Sequence, residues 1–188
     1  MKAIEISKYV ISLTKDNPEE NVTNLKLQKI LYYLQGYYLA LFGEKLFEDQ
    51  IEPWPYGPVV SDVYHIYKSY GNNSIVLPDI EMNFDYISEI QKKFINRVYA
   101  YFRQFSAIKL MEMSHEEIPW KQTYGKSSFI PEDLLFDSFS KSELKDYFLP
   151  LDKKEERSRA AHFLMVDYVC DTKLVESSIN DLDDVYEY

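Results

Sequence analysis

Residues 24–42 constrain this chain more than any other stretch. Leu27, Ile30, Leu31, Leu34, Tyr38 and Leu41 recur at three- and four-residue spacing, the period of one helix face. The other face carries Leu25, Tyr32, Tyr33 and Tyr37. A helix that is apolar nearly all round has no face to give to water, so the pattern predicts a central helix with other elements packed around it. Thr23 stands at the N-cap position, and Gly43 stands where left-handed backbone ends a helix. Gly36 inside this helix costs about 1 kcal/mol relative to alanine. Close approach of another backbone would account for it, and so would simple tolerance.

The remaining pattern is also mainly helical. Ala3, Ile6, Val10 and Leu13 make one stripe over 2–15, and Asp16-Asn17-Pro18 ends it. Residues 45–56 break the helical period and alternate, as a short extended segment or small β-hairpin does. Pro58 suits the first position of a helix whose buried stripe is Val59, Val63, Ile66 and Tyr70, closed by Gly71. A helix over 85–105 has Ile87, Ile90, Phe94, Val98, Tyr101 and Phe105 in register, and a shorter one runs from Ser106 to about Met113. Ser114 with Glu117, and Ser140 with Glu143, have capping-box spacing. Asp152 with Glu155 starts a last helix, about 152–170, and the stretch from Glu176 to Tyr188 carries acidic residues and no basic one. The expected fold is mainly α, a compact multi-helix domain with a small hairpin around 45–56. It divides into a domain over 1–144 and a C-terminal extension over 145–188.

Charge narrows the function. Twenty-one Lys+Arg against thirty-one Asp+Glu leave a formal −10 over 188 residues. Nucleic-acid binders rely on clustered basic side chains to neutralise phosphates, so direct nucleic-acid binding is disfavoured. An acidic chain more readily meets a basic partner, although net acidity also simply keeps a protein soluble. No apolar run is long enough to span a membrane, and no secretory signal pattern stands at the start. One cysteine, Cys170, calls for no oxidising compartment, and the reading is a cytoplasmic protein.

The chemistry-bearing residues do not converge. His65, His115 and His162 are far apart, and no second histidine follows His115-Glu116 at zinc-site spacing. Phosphate-binding glycine loops and nucleophile elbows are missing. Cys170 and His162 on one helix would stand roughly 12 Å apart, too far for proton transfer. The expectation is therefore a non-enzyme without catalytic residues, metal or cofactor. Trp54, Tyr56 and Trp120 read as core or loop anchors, or as binding hot spots. Seventeen tyrosines fit either a partner-facing surface or a polar-tipped core.

Three segments together resemble the SocA-like antitoxin, or Panacea, domain: TNLKLQKILYYLQG over 23–36, the stretch from Phe47 through Trp54, Tyr56-Gly57-Pro58 and Val63-Tyr64, and SHEEIPW over 114–120. The likeness covers about residues 1–140. Ser114 stands where the family usually shows threonine, and Pro53 where it shows alanine. The resemblance implies an antitoxin of a two-gene toxin–antitoxin system, often prophage-borne, that neutralises a cognate protein toxin from an adjacent gene by direct contact and occlusion. Alternatives are an adaptor delivering a toxin to an energy-dependent protease, and a phage accessory protein that inhibits a host defence enzyme. No catalytic activity is implied. Leu27, Lys29, Tyr32, Trp54, Tyr56, Gly57, Pro58, His115 and Trp120 are family-pattern residues and read mainly as fold determinants. Candidates for toxin contact are Tyr33, Tyr37, Glu176, Asp181, Asp183, Asp184 and Glu187, and a homo-oligomer or a toxin–antitoxin complex is left open.

Overall fold

Every residue from Leu27 to Leu39 is buried, as a helix with no polar face requires. The computed structural model describes residues 1–15, 22–78 and 82–150. Its elements in chain order are α1 (Ala3–Ser12), α2 (Asn24–Phe42), β1 (Glu52–Trp54), β2 (Gly57–Val59), α3 (Ser61–Tyr67), α4 (Glu89–Phe102), α5 (Ala107–Glu116), α6 (Ile118–Thr123) and α7 (Glu132–Ser140). Short 3-10 turns at Lys68–Tyr70 and Lys145–Phe148 complete them. All belong to the unit Met1–Leu149. The expected helix over 152–170, with Cys170 and His162, and the acidic stretch after it lie outside the described residues.

The helix α2 is the hub. It touches α1, α3, α4, α5, α7, β2 and the turn at 145–148. The Thr23 hydroxyl accepts from the Lys26 N–H, and Gly43 takes φ 70°, so both expected ends are met. Its tyrosines pack inward: Tyr33 stacks on Phe102 at 4.1 Å, and Tyr37 meets Phe148 at 4.6 Å and Phe139 at 4.8 Å between ring centroids. The tyrosine-rich face is thus aromatic core. Gly36 is explained by a side chain, not a backbone: an added Cβ would stand 2.5 and 2.6 Å from Cδ2 and Cζ of Phe139.

Buried polar groups of α2 hold the irregular segment beside it. Gln35 accepts from the Leu46 and Phe47 N–H groups at 3.1 and 3.2 Å and donates to the Phe47 carbonyl at 3.0 Å. Gln28 accepts from the Val60 N–H at 2.8 Å and donates to Asn24. Each polar side chain satisfies strand or loop backbone that water cannot reach.

Several expectations give way here. Pro58 is not a helix start. It pairs with Pro53 in an antiparallel hairpin of register Glu52↔Val59 and Trp54↔Gly57, and α3 begins only at Ser61. The hairpin replaces the N-terminal half of the expected turn because β1 and β2 satisfy each other's backbone. Ile66 (54% exposed) and Ile90 (58% exposed) leave the predicted stripes, of which Val63 in α3 and Phe94 and Val98 in α4 are buried; Tyr67, Ile95, Tyr99 and Phe102, outside those stripes, are buried beside them. Ser88, not a residue near 85, caps α4. Ser114 sits inside α5, with its hydroxyl donating to the Met111 carbonyl, so the 114–117 capping box does not form. Ser140 ends α7, and its hydroxyl has no partner in the described structure.

Candidate functional site

The sequence WPYGP forces a tight reversal, and the reversal builds the site. Gly57 closes it at φ 89°, a left-handed conformation that favours glycine. The space is as restrictive as the angle. A Cβ at Gly57 would lie 2.6 Å from Oγ of Ser114 and 2.9 Å from Nζ of Lys29. Lys29 reaches up from α2 beneath the hairpin and donates to the Pro58 carbonyl at 2.8 Å. Its side chain is fully buried, and desolvation brings its amine down to about 7. Ser114 is equally buried. Amine and hydroxyl both lie against Gly57 and are sealed from solvent; the amine alone bonds to the hairpin.

The corner between α5 and α6 packs on the hairpin from the other side. The Trp120 indole N–H donates to the Trp54 carbonyl at 2.9 Å, fastening α6 to β1. His115, Trp120 and Tyr124 stack face to face, with centroids 4.0 and 4.6 Å apart and planes 19° and 14° from parallel. Burial, and then the nearby Lys29, hold the His115 imidazole below its ordinary pKa. Trp54 edges against Tyr64 at 4.9 Å and donates its indole N–H to Glu52 at 2.7 Å. Apolar side chains of this frame reach the surface. Tyr56 at the hairpin tip is 69% exposed, Ile118 50% and Tyr124 42%.

A shallow groove of about 440 Å³ runs beside the stack, with Glu112, Glu116 and Glu117 in its lining. Glu116 pairs with Lys121. Glu117 is half-buried at the α5–α6 junction, and desolvation raises its carboxyl above the usual range. Its charge in turn helps to raise the hydroxyls of Tyr32, Tyr33 and Tyr37, after desolvation, which is the main cause.

The family-pattern residues therefore come together. Lys29, Trp54, Tyr56, Gly57, Pro58, His115 and Trp120 form one clamp, while Leu27 and Tyr32 are core on the same helix. Tyr33 and Tyr37 do not serve as proposed. Both are buried in the aromatic core and meet no incoming surface, because tyrosine on a hub helix is polar-tipped core. Glu176, Asp181, Asp183, Asp184 and Glu187 lie outside the described residues. Sequence reasoning missed Gln28 and Gln35, whose signal is a polar side chain seven residues apart in an otherwise apolar helix. It also missed Tyr124 and Glu117, which carry no sequence signal apart from their nearness to Trp120.

Among the described residues no group of three His, Cys, Asp or Glu side chains is placed to hold a metal ion. No described helix is long and apolar enough to cross a membrane. A family model described as antitoxin SocA-like, Panacea domain, matches residues 27–121. No curated protein and no solved structure matches the chain.

Proposed function

The chain belongs to the SocA-like Panacea antitoxin family, and on that premise we propose that it neutralises a cognate protein toxin by binding it directly and covering its working surface. Family membership supports an antitoxin role of non-catalytic kind. Direct binding is supported by one observation above others: the packed, hydrogen-bonded clamp of Lys29, Gly57, Ser114 and Trp120 has exposed Tyr56, Ile118 and Tyr124 beside it in sequence. Aromatic side chains on a fixed frame lose little entropy on binding and dominate interface energetics. The acidic stretch Glu176, Asp181, Asp183, Asp184 and Glu187 is proposed as a second contact, suited by charge to a basic cleft of the toxin.

Co-expression with the adjacent reading frame tests this. The neighbour alone arrests growth, this chain restores it, and the two co-purify in a stable complex. Rescue without a complex, and only in a host with an intact energy-dependent protease, would replace occlusion with adaptor-driven degradation. A harmless neighbour that does not co-purify would overturn the toxin–antitoxin reading and leave inhibition of a host defence enzyme. Deleting 176–188 without any loss of rescue would remove the second contact.

A further inference from the structure

Exposed large apolar side chains occur on several of the described elements, among them Ile66, Tyr86, Ile108, Phe129 and Phe136. Ile90 on α4 and Val76 in the loop after α3 stand on other elements than the clamp, as single surface apolar residues commonly do. Tyr56, Ile118 and Tyr124 instead surround one hydrogen-bonded junction, that of Trp120 with Trp54. Both tryptophans of the chain belong to it. The junction leaves Tyr124, 42% exposed, at the opposite end of a three-ring stack from His115.

Charge decides what fits there. The groove beside the stack holds three carboxylates, Glu112, Glu116 and Glu117, and Glu52 stands at the Trp54 indole. Of the lysines nearest to them, Lys121 is already paired with Glu116, which leaves Lys109 in the groove wall. The Glu117 carboxylate is half-buried, and Lys121, the cation that acts on it, is paired with Glu116. A partly desolvated carboxylate beside an aromatic face is complementary to a guanidinium, which stacks on the ring and offers a planar fork of donors to the oxygens.

We propose that the face formed by Tyr56, Ile118, Trp120 and Tyr124, with the Glu112–Glu117 groove beside it, is the docking surface for a basic, arginine-bearing segment of the protein partner. The partner's being a toxin rests on the antitoxin reading; the chemistry of the face does not. The arginine stem covers Ile118 and the rings, and its guanidinium reaches the groove carboxylates. Hydrophobic area and rim charge then act together, the first on the lifetime of the complex and the second on its rate of formation.

The test uses the full chain and a capped tetra-arginine peptide, with tetra-glutamate as its counterpart. Because Trp54 and Trp120 are the only tryptophans and both lie in this junction, their fluorescence reports the face directly. Tetra-arginine changes the emission saturably and less so as salt rises, whereas tetra-glutamate leaves it unchanged. Tyr124→Ala weakens tetra-arginine binding about tenfold. Glu112→Lys, at an exposed position, weakens it and flattens its salt dependence, and Ile90→Ser leaves it unaltered. Equal responses to the two peptides, or a Glu112→Lys variant that binds tetra-arginine as the parent does, would overturn the proposal. Growth rescue separates the two readings. Rescue by the parent with no peptide response rejects the basic docking face and keeps the antitoxin. A peptide response with a harmless neighbour gene keeps the face and rejects the toxin partner.

Discussion

Replacing Lys29 with methionine removes the one amine that the fold seals under its hairpin, and the consequence should be read against pH. Burial brings this amine from 10.5 in the free side chain to about 7 in the fold, while its single hydrogen bond runs to the Pro58 carbonyl. That difference corresponds to roughly 5 kcal/mol. The sign follows from proton counting. Between pH 7 and 10.5 the unfolded chain keeps the Lys29 proton and the folded chain has lost it. Stability therefore rises with pH across that window, by up to about 1.4 kcal/mol per unit, and the destabilisation is fully present below it. The methionine variant has no such proton. Buried tyrosine hydroxyls are held above their ordinary value in both chains and cancel in the comparison. Parent minus variant should then climb by about 3 kcal/mol between pH 7 and 9.5. Urea unfolding followed by circular dichroism at four pH values in that range measures it. Parallel curves, with a constant offset, would refute the reasoning, because they would mean that the amine keeps its proton in the fold up to pH 9.5.

Gly36→Ala should destabilise by about 1–3 kcal/mol although alanine is the better helix former, since its Cβ meets the Phe139 ring; thermal unfolding reads this, and adding Phe139→Leu should recover part of the loss. Gln35→Leu strands the Leu46 and Phe47 N–H groups and the Phe47 carbonyl, and should cost about 3 kcal/mol or more in urea unfolding. Tyr32→Phe deletes a buried hydroxyl that has no partner in the described structure, and should leave stability unchanged or raise it by about 1 kcal/mol in the same assay.

Much of the architecture was determined locally. The apolar wrap of 24–42 required a central helix, and Thr23 and Gly43 bounded it because capping chemistry depends only on neighbours in sequence. The mainly α class and the presence of a small hairpin followed in the same way. The tertiary structure alone decided other matters. Pro58 carries signals for a helix start and for a strand end alike, and its pairing with Pro53 over the Lys29 amine chose the strand. Ser114 had the spacing of a cap but lies inside a helix, beneath a glycine with no room for a Cβ. Tyr33 and Tyr37 look identical to surface tyrosines in one dimension, and only the packing of α4, α7 and Phe148 around α2 made them core. The contact of α6 with β1 brought Trp120 and Tyr124 beside the Trp54 hairpin, more than sixty residues away in the chain. Periodicity records which side of an element is apolar. Which of those sides finds a neighbour, and which is left facing water for a partner, depends on contacts between residues distant in the chain.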